Sequence, residues 1–460
     1  MSSNAPPSAP LDELAAALPD GTVTTEPVTL ENYRFDWSRV SGAGVPLAVV
    51  RPADADQVQA VLRWASAHRV GVVPRGAGSG LSAGSAAVDG GIVLSLERMR
   101  SVEIDPAARV AVVEPGAFNA DVKAAAAAHG LWYPPDPSSY DICSIGGNVA
   151  TNAGGLCCVK YGVTTDYVLG LDVVLADGTK VVLGGKRIKD VAGLSLVKLF
   201  VGSEGTLGVI TRAILRLIPA QPPRSTLVAT FPTVRAAADS VLAIGSTIRA
   251  SMMELMDQTS INAVEDYRSM GLDRSAGALL LAQSDAPGAA RAAEIAAMES
   301  ACQAAGALEV FVTDEEDEGE LFVAARRAAF PAIEARGAIL LEDVGAPVPR
   351  LPELLAAIAA IAERHDVEIP VVAHAGDGNT HPIVVFDPSE PAARARAYLA
   401  FDEIMQTAIA LGGTITGEHG VGRAKKAALP DQLGPEVMAL TRTIKVALDP
   451  YGILNPGAVL

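Results

Sequence analysis

The chain has 460 residues, enough for roughly two or three domains with cores of their own. Half of the residues are hydrophobic but only 4% are aromatic, so those cores must be built from Ala, Val, Leu and Ile. A net charge of −17 argues against a nucleic-acid binder, which needs a basic footprint, and means that a small anionic substrate would need a local positive pocket.

Residues 1–10 are rich in Ser, Pro and Ala and are expected to be disordered. They have neither a basic n-region nor an apolar h-region, so no secretory signal is expected. Leu11–Leu18 reads as a short helix. Val49–Val50 reads as a strand, Val58, Val61, Leu62 and Ala65 fall at helical spacing, and Gly71–Pro74 reads as the next strand. Gly/Ser/Ala-rich turns fill 76–91. Strands are then expected at Ile92–Leu96, Ser101–Ile104 and Val110–Val113, and a helix at Phe118–His129. Pro134–Gly155 reads as a long segment without regular structure, which inside a compact domain is usually functional. Leu169–Leu175 and Lys180–Leu183 form a hairpin around Asp177–Gly178, and Val209–Ile218 is a strand.

Pro219–Pro223 is the clearest boundary. Beyond it helices and strands alternate: helix Val234–Ile248, strand Ser251–Met256, strand Ala278–Gln283, helix Ala289–Ala305, strand Leu308–Val312. The acidic run Asp314–Glu320 reads as a solvated loop, followed by helices at Leu351–His365 and Ala392–Leu411. The pattern suggests ferredoxin-like α+β modules. No 18-residue apolar stretch occurs, so no transmembrane segment is expected. The four cysteines, Cys143, Cys157, Cys158 and Cys302, include no CxxC pair or ferredoxin run, which predicts no iron–sulfur cluster and fits a reducing, cytoplasmic compartment.

Three glycine-rich segments stand out in the first half. Gly78-Ser-Gly-Leu-Ser-Ala83 formally fits the dinucleotide pattern G-x-G-x-x-G/A. That motif must lead straight into a helix, whereas turn material follows here, so the NAD reading is rejected. Consecutive backbone N–H groups cradling a diphosphate account better for it. Ser144–Gly155 and Gly202–Gly208 share the same character, and three such loops suggest one large phosphorylated cofactor.

In the second half, His374-Ala-Gly-Asp-Gly-Asn-Thr-His381 and Gly417-Glu-His-Gly420 hold three of the six histidines. With Asp377–Gly378 as a two-residue turn, His374 and His381 would pair directly across a hairpin, their Cβ atoms about 5 Å apart. Two imidazoles so placed suit one divalent ion, with Glu418 completing a set of two His and one carboxylate that leaves positions open for substrate. One imidazole, His419, is left for acid–base work.

These segments resemble the vanillyl-alcohol oxidase/p-cresol methylhydroxylase (PCMH-type FAD) superfamily. The FAD-domain likeness rests on Pro74-Arg-Gly-Ala-Gly-Ser-Gly-Leu-Ser82, Pro135–Ser139, Ser144–Gly155, Lys160-Tyr-Gly162 and Gly202–Gly208. The C-terminal likeness, in His374–His381, Gly417–Gly422 and Ile453–Gly457, is to its 2-hydroxyacid branch, which holds the flavin subunit of glycolate oxidase and the D-lactate and D-2-hydroxyglutarate dehydrogenases. The resemblance implies an α+β fold: an N-terminal segment (1–41), a PCMH-type FAD-binding domain of two subdomains (42–222), a ferredoxin-like cap domain (223–412) and a C-terminal segment packing back on the FAD domain (413–460).

It also implies contacts to FAD. The first loop would offer Pro74, Arg75, Gly76, Ala77, Gly78, Ser79, Gly80 and Leu81. Pro135, Asp136 and Ser138 would follow, then Ser144, Gly146, Gly147, Asn148, Ala150, Thr151, Asn152, Gly154 and Gly155. Tyr161, Gly162, Glu204, Gly205, Gly208, Ile210 and Asn455 complete the set. Residues 76–84 contain no His, so the flavin would be non-covalent.

The same resemblance gives His374, His381 and Glu418 a divalent metal (zinc or manganese, with iron as a third option). It makes His419 the general base, puts Asn379 on the substrate, and gives the substrate carboxylate to Arg326, with Arg327 as the alternate. An ion pair with the acidic run is the other role open to Arg326. The chemistry fits these roles. Oxidation removes a hydroxyl proton and sends hydride from C2 to flavin N5, a metal acidifies the hydroxyl, an imidazole accepts the proton, and Arg grips a carboxylate in two places.

One departure bears on the substrate. The 2-hydroxyglutarate enzymes carry a basic residue before an Asp-x-x-x-Pro segment, and here Leu340-Leu-Glu-Asp-Val-Gly-Ala-Pro347 has no Lys. Glycolate or D-lactate is therefore expected, with a D-2-hydroxyglutarate enzyme, or a non-redox transferase like alkyl-dihydroxyacetone-phosphate synthase, as the alternatives. Electrons must leave to an external acceptor: an iron–sulfur partner subunit, a quinone or a cytochrome. A homodimer, peripheral to the inner membrane, is compatible with the sequence.

Overall fold

The computed structural model describes residues 11–39 and 42–460. The disorder expected for residues 1–10 therefore lies outside the described residues. The chain divides into two compact units, one holding the described residues up to Ala153 with Val163–Ala220 and Glu418–Leu460, the other holding Gly154–Gly162 and Gln221–Gly417.

The first unit has two main sheets. In the smaller one, Ala48–Val50 and Val72–Arg75 both run parallel to Ile92–Ser95, and Val23–Thr24 closes one edge. The helix Ala55–His68 links the two outer parallel strands. It starts because the Asp54 side chain accepts the N–H of Gln57, a cap contributing about 1 kcal/mol. It ends at Arg69, which turns left-handed with φ 58°. Its buried face (Val58, Val61, Leu62, Ala65) packs in one core with Ile92, Leu94, Ile453 and Leu454. Burying each Val or Leu contributes roughly 1.5–3 kcal/mol.

The larger sheet is antiparallel, with Val102–Asp105, Val110–Val113, Val209–Arg216, Val168–Val174 and Lys180–Gly184 side by side. The 134–155 segment is not wholly irregular. Ile145–Thr151 is a helix, capped by the Ser144 side chain on the N–H of Gly147, and Ile145 and Val149 bury into the core beneath. Among the described residues no helix follows the first glycine loop directly, as expected from the turn-forming sequence after Gly80.

The second unit is one antiparallel sheet covered by helices. Its strands run Glu309–Thr313, Ser225–Phe231, Ala278–Ser284, Met252–Asp257, Val371–His374, Asn379–Phe386 and Ala338–Leu341, with Val344–Gly345 also on Asn379–Phe386. The acidic run is not a loop: Glu316–Glu334 is a 19-residue helix with Glu316, Asp317 and Glu318 in its first turn. Carboxylates there face the positive end of the helix dipole, and Val323, Ala329 and Ile333 further along supply a buried stripe. No helix among the described residues is long and apolar enough to cross a membrane.

Candidate active site

In the first unit the glycine loops converge on a cleft. Its walls include Pro74, Arg75, Gly76, Ala77, Gly78, Ser79 and Gly80 from one loop and Ser144, Gly146, Gly147, Ala150 and Thr151 from the second. Glu204, Gly205, Gly208 and Ile210 come from the third. Ser144 joins the first two loops, its Oγ accepting the N–H of Ala77 at 3.1 Å as well as that of Gly147. A Cβ at Gly76 would stand 2.2 Å from that Oγ, so the loops approach this closely only over a glycine.

Six wall residues were absent from the sequence expectation: Asp36, Ser82, Gly84, Ser85, Leu96 and Val209. Asp36 is buried and accepts from Ser38 and Ser85. Burial pushes its carboxyl above the usual range, while those bonds and Arg75 act in the opposite direction. Burial lowers the pKa of Arg75, whose guanidinium donates to the Phe35 carbonyl at 2.9 Å.

His419 also lines this cleft. The Ser82 hydroxyl donates to its carbonyl, and its Nε2 lies 3.6 Å from Oε1 of the adjacent Glu418. The turn that carries it is pinned behind by Glu204, whose carboxylate accepts the N–H groups of Val421 and Gly422. Gly422 has φ +53°, and a Cβ there would lie 1.9 Å from the Ser82 carbonyl oxygen, so glycine is required.

The rest of the expected cofactor set does not line the cleft. Asn455 braces it from outside, donating to the carbonyls of Gly84 and Glu204. Asn148 is tied to Asn119 and Cys143, and Asn152 ends the Ile145–Thr151 helix in a left-handed turn. Leu81, Pro135, Asp136 and Ser138 lie off the walls, Ser138 exposed. Gly154, Gly155, Tyr161 and Gly162 belong to the second unit, where the Tyr161 hydroxyl donates to Asp285.

In the second unit, His374 and His381 lie on a hairpin whose register differs from the expected one. His374 pairs with Asn379, and His381 pairs with Val372. The turn spans 375–378 rather than two residues, because Asp377 and Gly378 both donate backbone N–H groups to the His374 carbonyl. His381 is thus diagonal to His374 rather than opposite. A strand alternates with period two, so both still face one side, and their rings stack edge to face 5.0 Å apart. Both are buried.

Nδ1 of His374 lies 2.7 Å from Oε1 of Glu254, leaving Nε2 as the ring's donor atom for a metal. The buried pair of imidazoles with a carboxylate behind one of them is a donor set that fits zinc or manganese. Arg326 is buried in the helix Glu316–Glu334 and pairs not with the acidic run but with Glu254, 2.9 Å from Oε2. Arg327, next to it, is half-buried.

Asp343, fully buried, organises the neighbouring loop. It accepts from Asn379 Nδ2 at 2.9 Å, from the Thr416 hydroxyl at 2.7 Å and from the Gly417 N–H at 3.0 Å. Glu254 and Asp343 were both missed by sequence reading. For Glu254 the available signal was a lone carboxylate in Met252-Met-Glu-Leu-Met256, where an apolar strand has no other reason to hold a charge.

Two family models match the chain: "FAD binding domain" over residues 46–184 and "FAD linked oxidases, C-terminal domain" over residues 220–459. The glycolate oxidase subunit GlcD of Bacillus subtilis is 42% identical over 416 residues, covering 90% of this chain and 88% of that protein. A D-lactate dehydrogenase of Archaeoglobus fulgidus is 35% identical, covering 93% and 95%. Among solved structures, p-cresol methylhydroxylase superposes with a TM-score of 0.81 at 18% identity over 98% of this chain and 96% of that one, a likeness of fold.

Proposed function

Because the chain belongs to the family of FAD-linked oxidases, we propose that it oxidises a small 2-hydroxy acid, glycolate or D-lactate, to the 2-oxo acid and passes the electrons to an external acceptor. The observation that supports this most directly is His419 in the wall of the cleft formed by the glycine loops. A base in that wall stands beside the site where a flavin would be bound.

FAD held non-covalently by those loops supplies the acceptor for a hydride leaving C2. The loops fit it: glycine keeps the cleft walls close, as at Gly76, where a Cβ would run into Ser144 Oγ. His374, His381 and Glu418 would hold a divalent ion, which acidifies a bound hydroxyl. His419 accepts the hydroxyl proton at a ring nitrogen. Arg326 draws the substrate carboxylate, its guanidinium already set on one side by Glu254. Asn379, fixed through its amide nitrogen by Asp343, orients its carbonyl oxygen toward the substrate.

The cap segment argues against a second substrate carboxylate. Glu342 and Asp343 there are fully buried acids, and Ala338–Leu341 offers no cation. A diacid such as 2-hydroxyglutarate would find no cation in that segment for its second carboxylate.

Anaerobic addition of glycolate, D-lactate, L-lactate and D-2-hydroxyglutarate to the purified flavoprotein tests the reading. Glycolate or D-lactate should bleach the flavin band. Bleaching by D-2-hydroxyglutarate alone would move the substrate to the diacid, and a band that none of the four bleaches would reject hydroxyacid oxidation in favour of a non-redox transfer.

A further inference from the structure

Glu254 lies in the middle of the second unit's sheet, on the strand Met252–Asp257, 1% exposed among Met, Leu and Ala. Its cross-strand partner is His374. One carboxylate oxygen meets Nδ1 of that histidine at 2.7 Å, and the other meets Arg326, itself 5% exposed, at 2.9 Å. Placing three ionisable groups in such a core costs more than apolar residues of the same volume would, so stability alone does not explain them.

We propose that Glu254 is a positioning residue that ties the metal-ligating and carboxylate-binding sides of the site together. The inference rests on the reading of His374 as a metal ligand. By accepting the Nδ1 proton, Oε1 selects the tautomer whose Nε2 lone pair is available to an ion and fixes the rotation of the ring. By pairing with Arg326, Oε2 fixes the guanidinium at a set distance from that ring. One rigid carboxylate, held on a strand, thereby sets the spacing between the two points at which a 2-hydroxy acid would be gripped.

The test is made on purified full-length protein loaded with cobalt as the probe ion. Cobalt affinity is read by competition with a chelator, and ligand geometry by the visible cobalt spectrum. E254Q keeps the volume but loses the charge, and it turns an amide N–H toward Arg326. It should weaken cobalt binding by about 10–100-fold, alter the cobalt spectrum and raise KM for the hydroxyacid. E254D keeps the charge but draws it back by one methylene. It should shift the spectrum in the same way, and it decides the matter should E254Q fail to fold.

A folded variant of either kind with wild-type cobalt affinity and spectrum overturns the role of Glu254. H374A and H381A separate that failure from the failure of the underlying reading. If they bind cobalt as the wild type does, the histidines are not the metal site. If they lose cobalt while E254Q and E254D retain it, only the role of Glu254 falls.

Discussion

Oε1 of Glu204 accepts the backbone N–H of Val421 at 2.7 Å, and Oε2 accepts that of Gly422 at 2.8 Å, inside the wall of the cofactor cleft. Burial raises this carboxyl from 4.5 to about 7, against the pull of the two N–H groups and Arg423. Between those values the folded chain holds a proton that the unfolded chain has released. Its contribution is therefore fully present below pH 4.5 and lost as pH rises through about 7, a swing of about 3 kcal/mol. Urea unfolding of the apoprotein should show E204Q gaining on the wild type across that window, despite one misdirected amide N–H. A constant difference at every pH would mean that Glu204 does not titrate there.

Asp285 joins three parts of the second unit's sequence: it receives hydrogen bonds from Lys160, Tyr161 and Gln221, the last at 2.9 Å. Burial pushes its carboxyl up, but those three donors outweigh it and hold the group below the usual carboxylate range. Its stabilisation is thus present above the unfolded value near 4 and is lost as pH falls below that. D285N should cost roughly 3 kcal/mol at neutral pH, since it leaves the Lys160 ammonium without its counter-charge. Thermal unfolding at neutral and acid pH checks both the size and the direction.

The glycine loops were legible because their cause is local: runs of turn residues let two chain segments approach closely whatever the surrounding fold. The two buried histidines were also legible, and the period of a strand kept them on one face even though the turn lengthened and the register moved. Glu254 was not legible, because a carboxylate on a strand 120 positions from His374 acquires its role only when the sheet places the two strands side by side. The same holds for Asp343 and Thr416. The acidic run at 314–320 was misread because charge suggests solvent, whereas the apolar period that makes a helix begins only at Val323. Tyr161, expected on the cofactor from the likeness of Lys160-Tyr-Gly162, lies in a segment that folds with the other unit.

Asn455 has φ +43° and uses both ends of its amide. Nδ2 donates to the carbonyls of Gly84 and Glu204 at 2.9 and 2.7 Å, and Oδ1 accepts from Arg423 at 2.9 Å. N455A should leave two carbonyls at the cleft without this donor and place Ala in a left-handed turn that Asn tolerates better. A loss of about 3 kcal/mol is expected. FAD should wash out of the variant more readily in gel filtration, although Asn455 does not line the cleft. Wild-type retention of flavin with lowered stability would confine its role to folding.

His419 belongs to the cleft wall and to the proposed proton transfer, so its removal should affect chemistry rather than cofactor. H419Q keeps a hydrogen-bonding side chain of similar length while abolishing the base. Its kcat should fall by about 10²–10⁴-fold, with FAD content and thermal midpoint close to wild type. An imidazole that must accept a proton is inactive once protonated. The wild type should therefore lose kcat/KM toward acid pH, and H419Q should lose that limb of the profile. Single-turnover reduction of the flavin by D-lactate, followed across pH in both proteins, separates the alternatives. A variant slowed at every pH but keeping the acid limb would assign the base to another group and leave His419 a part of the wall.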